Sequence, residues 1–262
     1  MRTPHDYQAY LFDLDGTIYL GPELIPGAEA AVASLRAAGR KVMFLSNKPI
    51  ATRRSYAAKL SALGIAASED EVLNSSGAMA HYLAQEMPGA RAYVIAEAPV
   101  IEDLTAVGIR LVNEPEEAEV VVLSWDRDFT YRKLDIALHA LRKGARLLAT
   151  NPDVACPMKG GDFVPDCGSI AAAVEACSGR KVELYSGKPS PVMARLALDR
   201  LGVPAAECLM VGDRLETDIA FGRNNGMGSA LVLTGAGSRS NLGESALQPD
   251  FVLESVGELT LP

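Results

Sequence analysis

The stretch Ala9-Tyr10-Leu11-Phe12-Asp13-Leu14-Asp15-Gly16-Thr17 decides the fold class. Its first four residues are apolar and predict a buried strand, which Asp13, Asp15 and Gly16 bring to an end in a turn. Two carboxylates that lie two residues apart just past a strand can converge on one cation, and the glycine permits a tight turn. A single acid there is more often a solvated loop residue, whereas the pair in this context favours a chemical role.

Outward from this stretch, short apolar runs alternate with helical patterns. The predicted elements on either side of the middle region are strands at 42–45, 208–211 and 230–233 and helices at 27–39, 51–63, 191–201 and 215–224. Continuous apolar strands that alternate with helices are typical of a parallel sheet covered on both faces. We therefore predict an α/β fold built on a doubly wound parallel sheet.

The middle of the chain predicts a second, inserted α/β module. Its candidate elements are strands at 93–95, 120–123 and 147–149 and helices near 98–107 and 131–143, and 150–168, rich in Pro, Gly and Asp, is predicted to be a loop. These strand ends are judged to lack the paired polar residues found at 13–15, 46–47 and 212–213. The predicted organisation is a core in two parts, residues 1–80 and 183–262, with a cap domain at 81–182 between them.

Composition limits the functional class. The chain has 262 residues, with 25 Lys and Arg against 33 Asp and Glu, a net charge of −8. This acidic balance argues against nucleic-acid and membrane partners. Apolar residues make up 48%, but no apolar run exceeds five residues, so we expect neither a membrane helix nor an export signal. We therefore expect the protein to be cytoplasmic. The four cysteines lack a C-x-x-C pair and are expected to be reduced, buried or half-buried thiols.

The other strand ends also carry polar residues. Ligands of open parallel sheets bind beyond the carboxyl ends of the strands. Ser46 and Asn47 follow the second strand, Lys188 stands between Gly and Pro before a helix, and Asp213 and Asp218 follow a late strand. Taken singly, each has an ordinary explanation: a turn or helix cap, a surface lysine, an acid in the first turn of a helix.

Together and in this order, these motifs resemble the haloacid-dehalogenase (HAD) superfamily phosphatases, and more narrowly their NagD-like branch. The similarity covers nearly the whole chain and is weakest across about 81–145. It is carried by Leu11–Thr17, Leu45-Ser46-Asn47, Gly187–Pro191 and Val211–Ile219, with support from Ala149–Asp153 and Leu231–Gly235. The resemblance implies a Rossmann-like core with a large α/β cap between the second and third motifs.

The resemblance also implies roles for individual residues. Asp13 is expected to attack phosphorus, to form an aspartyl-phosphate and to ligate Mg²⁺. Asp15 is expected to act as general acid and base, with its backbone carbonyl on Mg²⁺. Ser46 and Asn47 are expected to hold the phosphoryl group, and Lys188 to neutralise it.

Three further residues complete the implied metal site. Asp213 is expected to ligate Mg²⁺, Asp218 to orient a metal-bound water, and Thr17 to support the ligands from beside them. A carboxylate that attacks a phosphate dianion faces like-charge repulsion, which a hard divalent cation with oxygen ligands offsets.

The expected function is that of a Mg²⁺-dependent phosphatase acting on a small phosphorylated metabolite, a sugar, polyol or nucleotide monophosphate. Two alternatives stay open: a non-catalytic phosphometabolite-binding protein, against which the presence of both Asp13 and Asp15 speaks, and a phosphomutase. Relatives with this cap type often form homodimers, which is an expectation by analogy.

Two residues depart from the family pattern. Lys48 stands where relatives often continue with asparagine, and is expected either to bind an anionic substrate or, with a slight preference, to point to solvent. Asp166 stands where relatives often have glycine. Its carboxylate is expected either to hydrogen-bond a substrate hydroxyl or to be a surface loop acid.

Overall fold

The computed structural model describes residues 2–157, 162–237, 242–243 and 245–261. Their strands are β1 Ala9–Asp13, β2 Tyr19–Leu20, β3 Glu23–Leu24, β4 Lys41–Ser46, β5 Val72–Asn74, β6 Arg91–Ile95, β7 Arg110–Leu111, β8 Val120–Leu123, β9 Arg146–Ala149, β10 Ala155–Pro157, β11 Phe163–Pro165, β12 Leu184–Tyr185, β13 Cys208–Gly212, β14 Gly228–Val232 and β15 Phe251–Leu253. The helices are α1 Ala28–Ala37, α2 Arg53–Ala62, α3 Ser75–Glu86, α4 Ala98–Ala106, α5 Tyr131–Arg142, α6 Cys167–Ser178, α7 Pro191–Leu201 and α8 Ala220–Asn224.

The chain divides into two compact units. The first comprises Met1–Ser46, Arg53–Leu73 and Met193–Pro262, and the second comprises Asn47–Thr52 and Asn74–Val192. The second unit is longer at both ends than the predicted 81–182. At its start α3 packs into the core of this unit, and near its end β12 joins the sheet of this unit.

The first unit is built on a six-stranded sheet in the order β15-β14-β13-β1-β4-β5. The central strand β1 pairs in parallel with β4 and β13, so that Asp13 lies opposite Leu45 and Phe12 opposite Val211. The apolar residues of β1 are fully buried, and the ring centroids of Phe12 and Phe44 lie 6.2 Å apart. Because these three strands run in parallel, their carboxyl ends meet at one edge of the sheet.

The second unit has its own five-stranded sheet in the order β12-β9-β8-β6-β7, and its paired strands are parallel. Alternate residues of β6 and β8 point to opposite faces. Val121 and Leu123 pack with α5 and α6, while Val120 and Val122 pack with α3 and α4. Helices therefore cover both faces, and the predicted α/β class with parallel sheets is confirmed.

The structure differs from the prediction over 150–168. This stretch contains the antiparallel strands β10 and β11 and the first residues of α6, which were predicted as loop. Small residues dominate α6, so its apolar pattern is weak. The helix predicted at 215–224 begins as a π-helical turn over Leu215–Ile219.

Cysteine chemistry and membrane character are simple. All four cysteines are free thiols, as expected, and three of them are buried, whereas Cys177 is exposed. In the described part of the chain, no helix combines the length and the apolar character needed to span a bilayer.

Candidate active site

Three carboxylates of the first unit form a cluster at the carboxyl edge of its sheet. Asp13 ends β1, Asp213 follows the neighbouring strand β13, and Asp218 lies in the π-helical turn. One oxygen from each lies within 4.8 Å of the others. Three like charges this close repel each other by at least roughly 3 kcal/mol for each pair at an effective dielectric constant of 20. An all-oxygen donor set of this charge suits a hard divalent cation.

Backbone amides fix the two deeper carboxylates, which are only 4% and 1% exposed. The Ala236 amide donates to Oδ2 of Asp213 at 2.6 Å, and the Arg214 amide donates to Oδ2 of Asp218 at 3.0 Å. The loop after β14 therefore positions Asp213, and the turn after β13 positions Asp218. The contribution of Ala236 lies outside the quoted motifs and was not predicted.

Glycines surround the cluster because side chains would not fit. A Cβ at Gly16 would lie 2.6 Å from Oδ2 of Asp213, and a Cβ at Gly212 would lie 2.2 Å from Cγ of Asp218. Gly16 also has φ +90°, a left-handed conformation that favours glycine. The hydroxyl of Thr234 donates to the Gly16 carbonyl at 2.6 Å and holds this turn.

The remaining predicted residues of the first unit lie along the same turn and the adjacent strand. Asp15 is half-buried and is not a member of the carboxylate cluster. Burial, together with the nearby Asp15 charge, raises the pKa of the Tyr19 phenol. Thr17 is fully buried, and its hydroxyl has no hydrogen-bond partner among the described residues. Ser46 ends β4, which pairs with β1, and is 3% exposed.

In the second unit, the side chain of Asn47 is bonded to the backbone of Lys188. Asn47 Oδ1 accepts from the Lys188 amide at 2.7 Å, and Nδ2 donates to the Lys188 carbonyl at 3.0 Å. Nδ2 also donates to Oδ2 of Asp153 at 2.9 Å. A carboxamide has two N–H groups, so both hydrogens are engaged. Lys188 itself is 1% exposed.

A chain of polar contacts continues from Asp153 to Asp166. Nδ2 of Asn151 donates to Asp153 Oδ2 and to Asp166 Oδ1, each at 3.0 Å. Asp166 also accepts from the Cys167 amide and so caps α6. The alternative that Asp166 is a surface acid is wrong, because this side chain is buried.

Burial raises the pKa of Asp166 to about 6. The hydrogen bonds from Asn151 and Cys167 and the charge of Lys48 oppose this rise. Lys48 is half-buried, and its charge acts on Asp166 within the second unit.

Sequence reasoning missed polar residues at the strand ends of the second unit. Ser124 and Thr150 follow β8 and β9, are fully buried, and their hydroxyls lie 2.9 Å apart. Thr150 also donates to the side chain of Asn151, and the hydroxyl of Ser186 donates to the Thr150 carbonyl at 3.2 Å. The judgement that these strand ends lack paired polar residues is therefore wrong. The Thr-Asn pair after β9 was the available signal.

Two family models match this chain. The haloacid dehalogenase-like hydrolase model matches residues 10–110, and the HAD-hydrolase-like model matches residues 185–259. Among curated relatives, the chain is 38% identical to the sugar-phosphatase AraL of Bacillus subtilis, covering 98% of this chain and 94% of that protein. It is 34% identical to an acid sugar phosphatase of Staphylococcus aureus, covering 96% of each.

Solved structures lead to the same family. A 4-nitrophenylphosphatase from Thermotoga maritima superposes with a TM-score of 0.92 at 36% identity, covering 98% of this chain and 97% of that one. NagD from E. coli K-12 superposes with a TM-score of 0.88 at 29% identity, covering 96% and 98%. With two family models matched and relatives similar along nearly its whole length, this chain belongs to the haloacid dehalogenase-like hydrolases, in their NagD-like branch, and is a phosphoric monoester hydrolase.

Proposed function

We propose that this enzyme hydrolyses a small phosphorylated metabolite, of the sugar, polyol or nucleotide monophosphate class, through an aspartyl-phosphate at Asp13 with Mg²⁺ as cofactor. The observation that carries the proposal is the convergence of the Asp13, Asp213 and Asp218 carboxylates within 4.8 Å at the end of β1. Curated relatives named sugar phosphatases favour sugar phosphates within this class.

In the proposed first step, a carboxylate oxygen of Asp13 bonds to phosphorus as the ester oxygen leaves. Asp15 donates a proton to that oxygen, so the alcohol departs neutral. In the second step Asp15 takes a proton from water, which bonds to phosphorus and releases Asp13 as a free carboxylate. Hydrolysis in two displacements at the Asp13 carboxylate is covalent catalysis, and Asp15 assists both displacements, first as the acid and then as the base.

The proposed metal ligands are Asp13, Asp213 and the Asp15 carbonyl, with Asp218 oriented to hold a bound water and Thr17 as support. Bound Mg²⁺ would neutralise the carboxylates and the phosphoryl oxygens. The donor chemistry fits, because the cluster offers only carboxylate oxygen atoms, which a hard divalent cation prefers.

The proposed phosphoryl ligands are the Ser46 hydroxyl and the Lys188 ammonium. We assign the Asn47 side chain to a positioning role, since both of its amide hydrogens are engaged by Asp153 and the Lys188 carbonyl. Direct donation from this side chain to a phosphoryl oxygen would break one of these bonds.

The test is phosphate release from a panel of metabolite monophosphates, with Mg²⁺ and with EDTA. We expect Asp13→Asn to lower kcat at least about a thousandfold, since the amide cannot form the covalent intermediate, while the chain stays folded. Asp199→Asn, an exposed acid on α7, is the matched control and should keep full activity. Undiminished turnover in Asp13→Asn rejects the nucleophile. A phosphorylated isomer in place of free phosphate identifies a mutase.

The positioning role of Asn47 has its own test. We expect Asn47→Ala to impair turnover by acting through Lys188, so that the double variant Asn47→Ala/Lys188→Ala is no worse than Lys188→Ala alone. Additive losses of kcat/KM in the double variant would instead indicate that Asn47 acts independently of Lys188.

A further inference from the structure

The first unit contains a cleft of about 690 Å³ whose charged lining residues are mainly positive, although the whole chain is acidic. Five cationic side chains line it, those of Arg36, Arg40, Lys41, Arg53 and Arg200. Only two carboxylates line the same cleft, Asp70 and Glu71. The whole chain carries a net charge of −8, so this concentration of cations is local.

The cleft is remote from the carboxylate cluster. Lys41 is the first residue of β4, whereas Ser46 is the last. A strand rises about 3.3 Å per residue, which separates these two ends by roughly 17 Å. The cleft therefore lies at the amino end of the sheet, where the proposed catalytic residues are absent.

Ion pairs neutralise only part of the charge. Arg36 pairs with Glu71 at 2.5 Å, and Arg53 pairs with Glu69 at 3.2 Å. Among the described residues, no carboxylate pairs with Arg40, Lys41 or Arg200. Three cations therefore line the cleft without an ion pair, and the Asp70 carboxylate in the same lining lowers their combined charge from +3 to +2.

Backbone carbonyls hold two of these cations in place. Lys41 donates to the Leu201 carbonyl, and Arg200 donates to the Val72 carbonyl at 3.3 Å. A neutral carbonyl fixes the position of a cation without cancelling its charge. Burial, and after it the like charge of Arg53, lower the pKa of Arg200, whereas the charges of Asp70 and Glu69 oppose this shift.

Arg40 adds an unused donor. Its Nε is buried and has no hydrogen-bond partner in the described part of the chain. Arginines in the last turns of helices offset the helix dipole, which accounts for Arg36 in α1 and Arg200 in α7. Lys41 has a comparable role, because its ammonium group donates to the carbonyl of Leu201, the last residue of α7. Arg40 lies just before β4 and has no such role, so its placement requires another explanation.

We infer that this cleft binds a compact anion with two phosphate groups, a diphosphate or a small bisphosphorylated metabolite, at a site separate from the proposed catalytic one. The three cations without an ion pair, less the Asp70 carboxylate, leave a local charge of about +2 that attracts such an anion, and guanidinium groups bind phosphate through paired N–H donors. Among the described residues that line the cleft none is aromatic, so none of them would stack on a nucleotide base. The compact class is therefore favoured over nucleotides.

The test is calorimetric titration with inorganic pyrophosphate in EDTA, paired with Tm measurements. We expect Arg40→Gln and Arg200→Gln each to weaken binding about tenfold or more, since each removes a charge-assisted contact. Arg195→Gln is the matched control, because this exposed arginine lies on the same helix α7 as Arg200 and does not line the cleft. This variant should bind pyrophosphate with the same affinity as the unmodified chain, and pyrophosphate should raise the Tm of both by the same amount.

A second control separates the cleft from the proposed catalytic residues. Ser46→Ala should retain the pyrophosphate site, although its turnover is expected to fall. Binding that persists unchanged in both arginine variants, that disappears in Ser46→Ala, or that is missing in the unmodified chain overturns the inference. None of these results bears on the Asp13 nucleophile, which the turnover of Asp13→Asn tests separately.

Discussion

At the residue scale, the carboxylate cluster leaves no room for side chains at the glycines beside it. Gly16 combines two constraints, a left-handed backbone and a Cβ position 2.6 Å from Asp213 Oδ2. Gly39 in the same unit has φ +74° and nothing within 4 Å of its Cβ position. A comparison of substitutions at the two glycines therefore separates the effect of backbone strain from that of a collision with the carboxylate cluster.

We expect Gly16→Ala to abolish most activity, because the new methyl group displaces the Asp213 carboxylate as well as straining the turn. Gly39→Ala should cost about 1–2 kcal/mol of stability through backbone strain alone and keep its turnover. Turnover with Mg²⁺ and Tm should be measured for both variants. If Gly16→Ala loses stability but keeps full kcat, the methyl group does not disturb the cluster.

Asp166 gives a prediction with a definite pH range. Its pKa is about 6 in the folded chain, against 3.8 for an ordinary aspartate. Between these values the folded state holds a proton that the unfolded state has lost, so stability falls as pH rises from 4 to 6. The upper limit of this loss is about 3 kcal/mol, from roughly two pKa units at 1.36 kcal/mol each.

Asp166→Asn removes this titration and retains an oxygen that can cap α6. We expect the variant to become more stable relative to the unmodified chain as pH rises from 4 to 7. Urea unfolding of both proteins at several pH values measures this difference. Asp199→Asn, on the surface, should change little over the same range. A constant difference between Asp166→Asn and the unmodified chain at all pH values would contradict the burial argument.

The sequence indicated Asp13, Asp15, Ser46, Asp213 and Asp218 because each lies near the end of an apolar run. It could not indicate what the Asn47 side chain contacts. The bonds to the Lys188 backbone join residues 141 positions apart, and such contacts depend on the fold rather than on local pattern. The same holds for Ala236, whose backbone amide could be supplied by any residue other than proline.

At the element scale, strands and helices with strong apolar periodicity were predicted close to their observed bounds. The strand predicted at 120–123 is β8, and the helix predicted at 191–201 is α7. The elements missed include the helices α3 and α6 and the short strands β2, β3, β5, β7, β10, β11, β12 and β15. Small residues dominate α6 and give it a weak apolar pattern. Strands of three residues are too short to display alternation.

Helix α3 depends on a buried cap. Asn74 accepts from the Gly77 amide and donates to the Ala51 carbonyl, both at 3.0 Å, and is fully buried. We expect Asn74→Ala to cost about 2 kcal/mol or more, because a cap is lost and a buried carbonyl is left without this donor. The exposed cap of α5 is the control: Thr130→Ala should cost about 0.5–1 kcal/mol. Equal losses in thermal or urea unfolding would refute the burial effect.

At the scale of the whole molecule, a net charge of −8 favours the binding of cations. A divalent cation that binds the folded state but not the unfolded chain stabilises the protein by mass action. At a hundredfold excess over Kd the gain is about 2.7 kcal/mol, which raises Tm by roughly 5 °C or more for a chain of this size.

We therefore expect Mg²⁺ to raise Tm and EDTA to reverse the rise. Asp213→Asn should lose most of the Mg²⁺-dependent rise, whereas Asp199→Asn should keep it. Calorimetry and thermal unfolding measure this without reference to turnover. An equal rise in Asp213→Asn would place the bound ion elsewhere on the protein.

The pairing of β1 with β13 has a consequence for folding of the chain during its synthesis on the ribosome. Ala9 of β1 lies opposite Cys208 of β13, about 200 residues later in synthesis. At a synthesis rate of about 5–20 residues per second, the edge of β1 that pairs with β13 stays unpaired for roughly 10–40 s. Residues 74–192 form most of the second unit and emerge as one continuous segment during that interval. We expect the nascent amino-terminal segment to require chaperone protection until the last strands leave the exit tunnel.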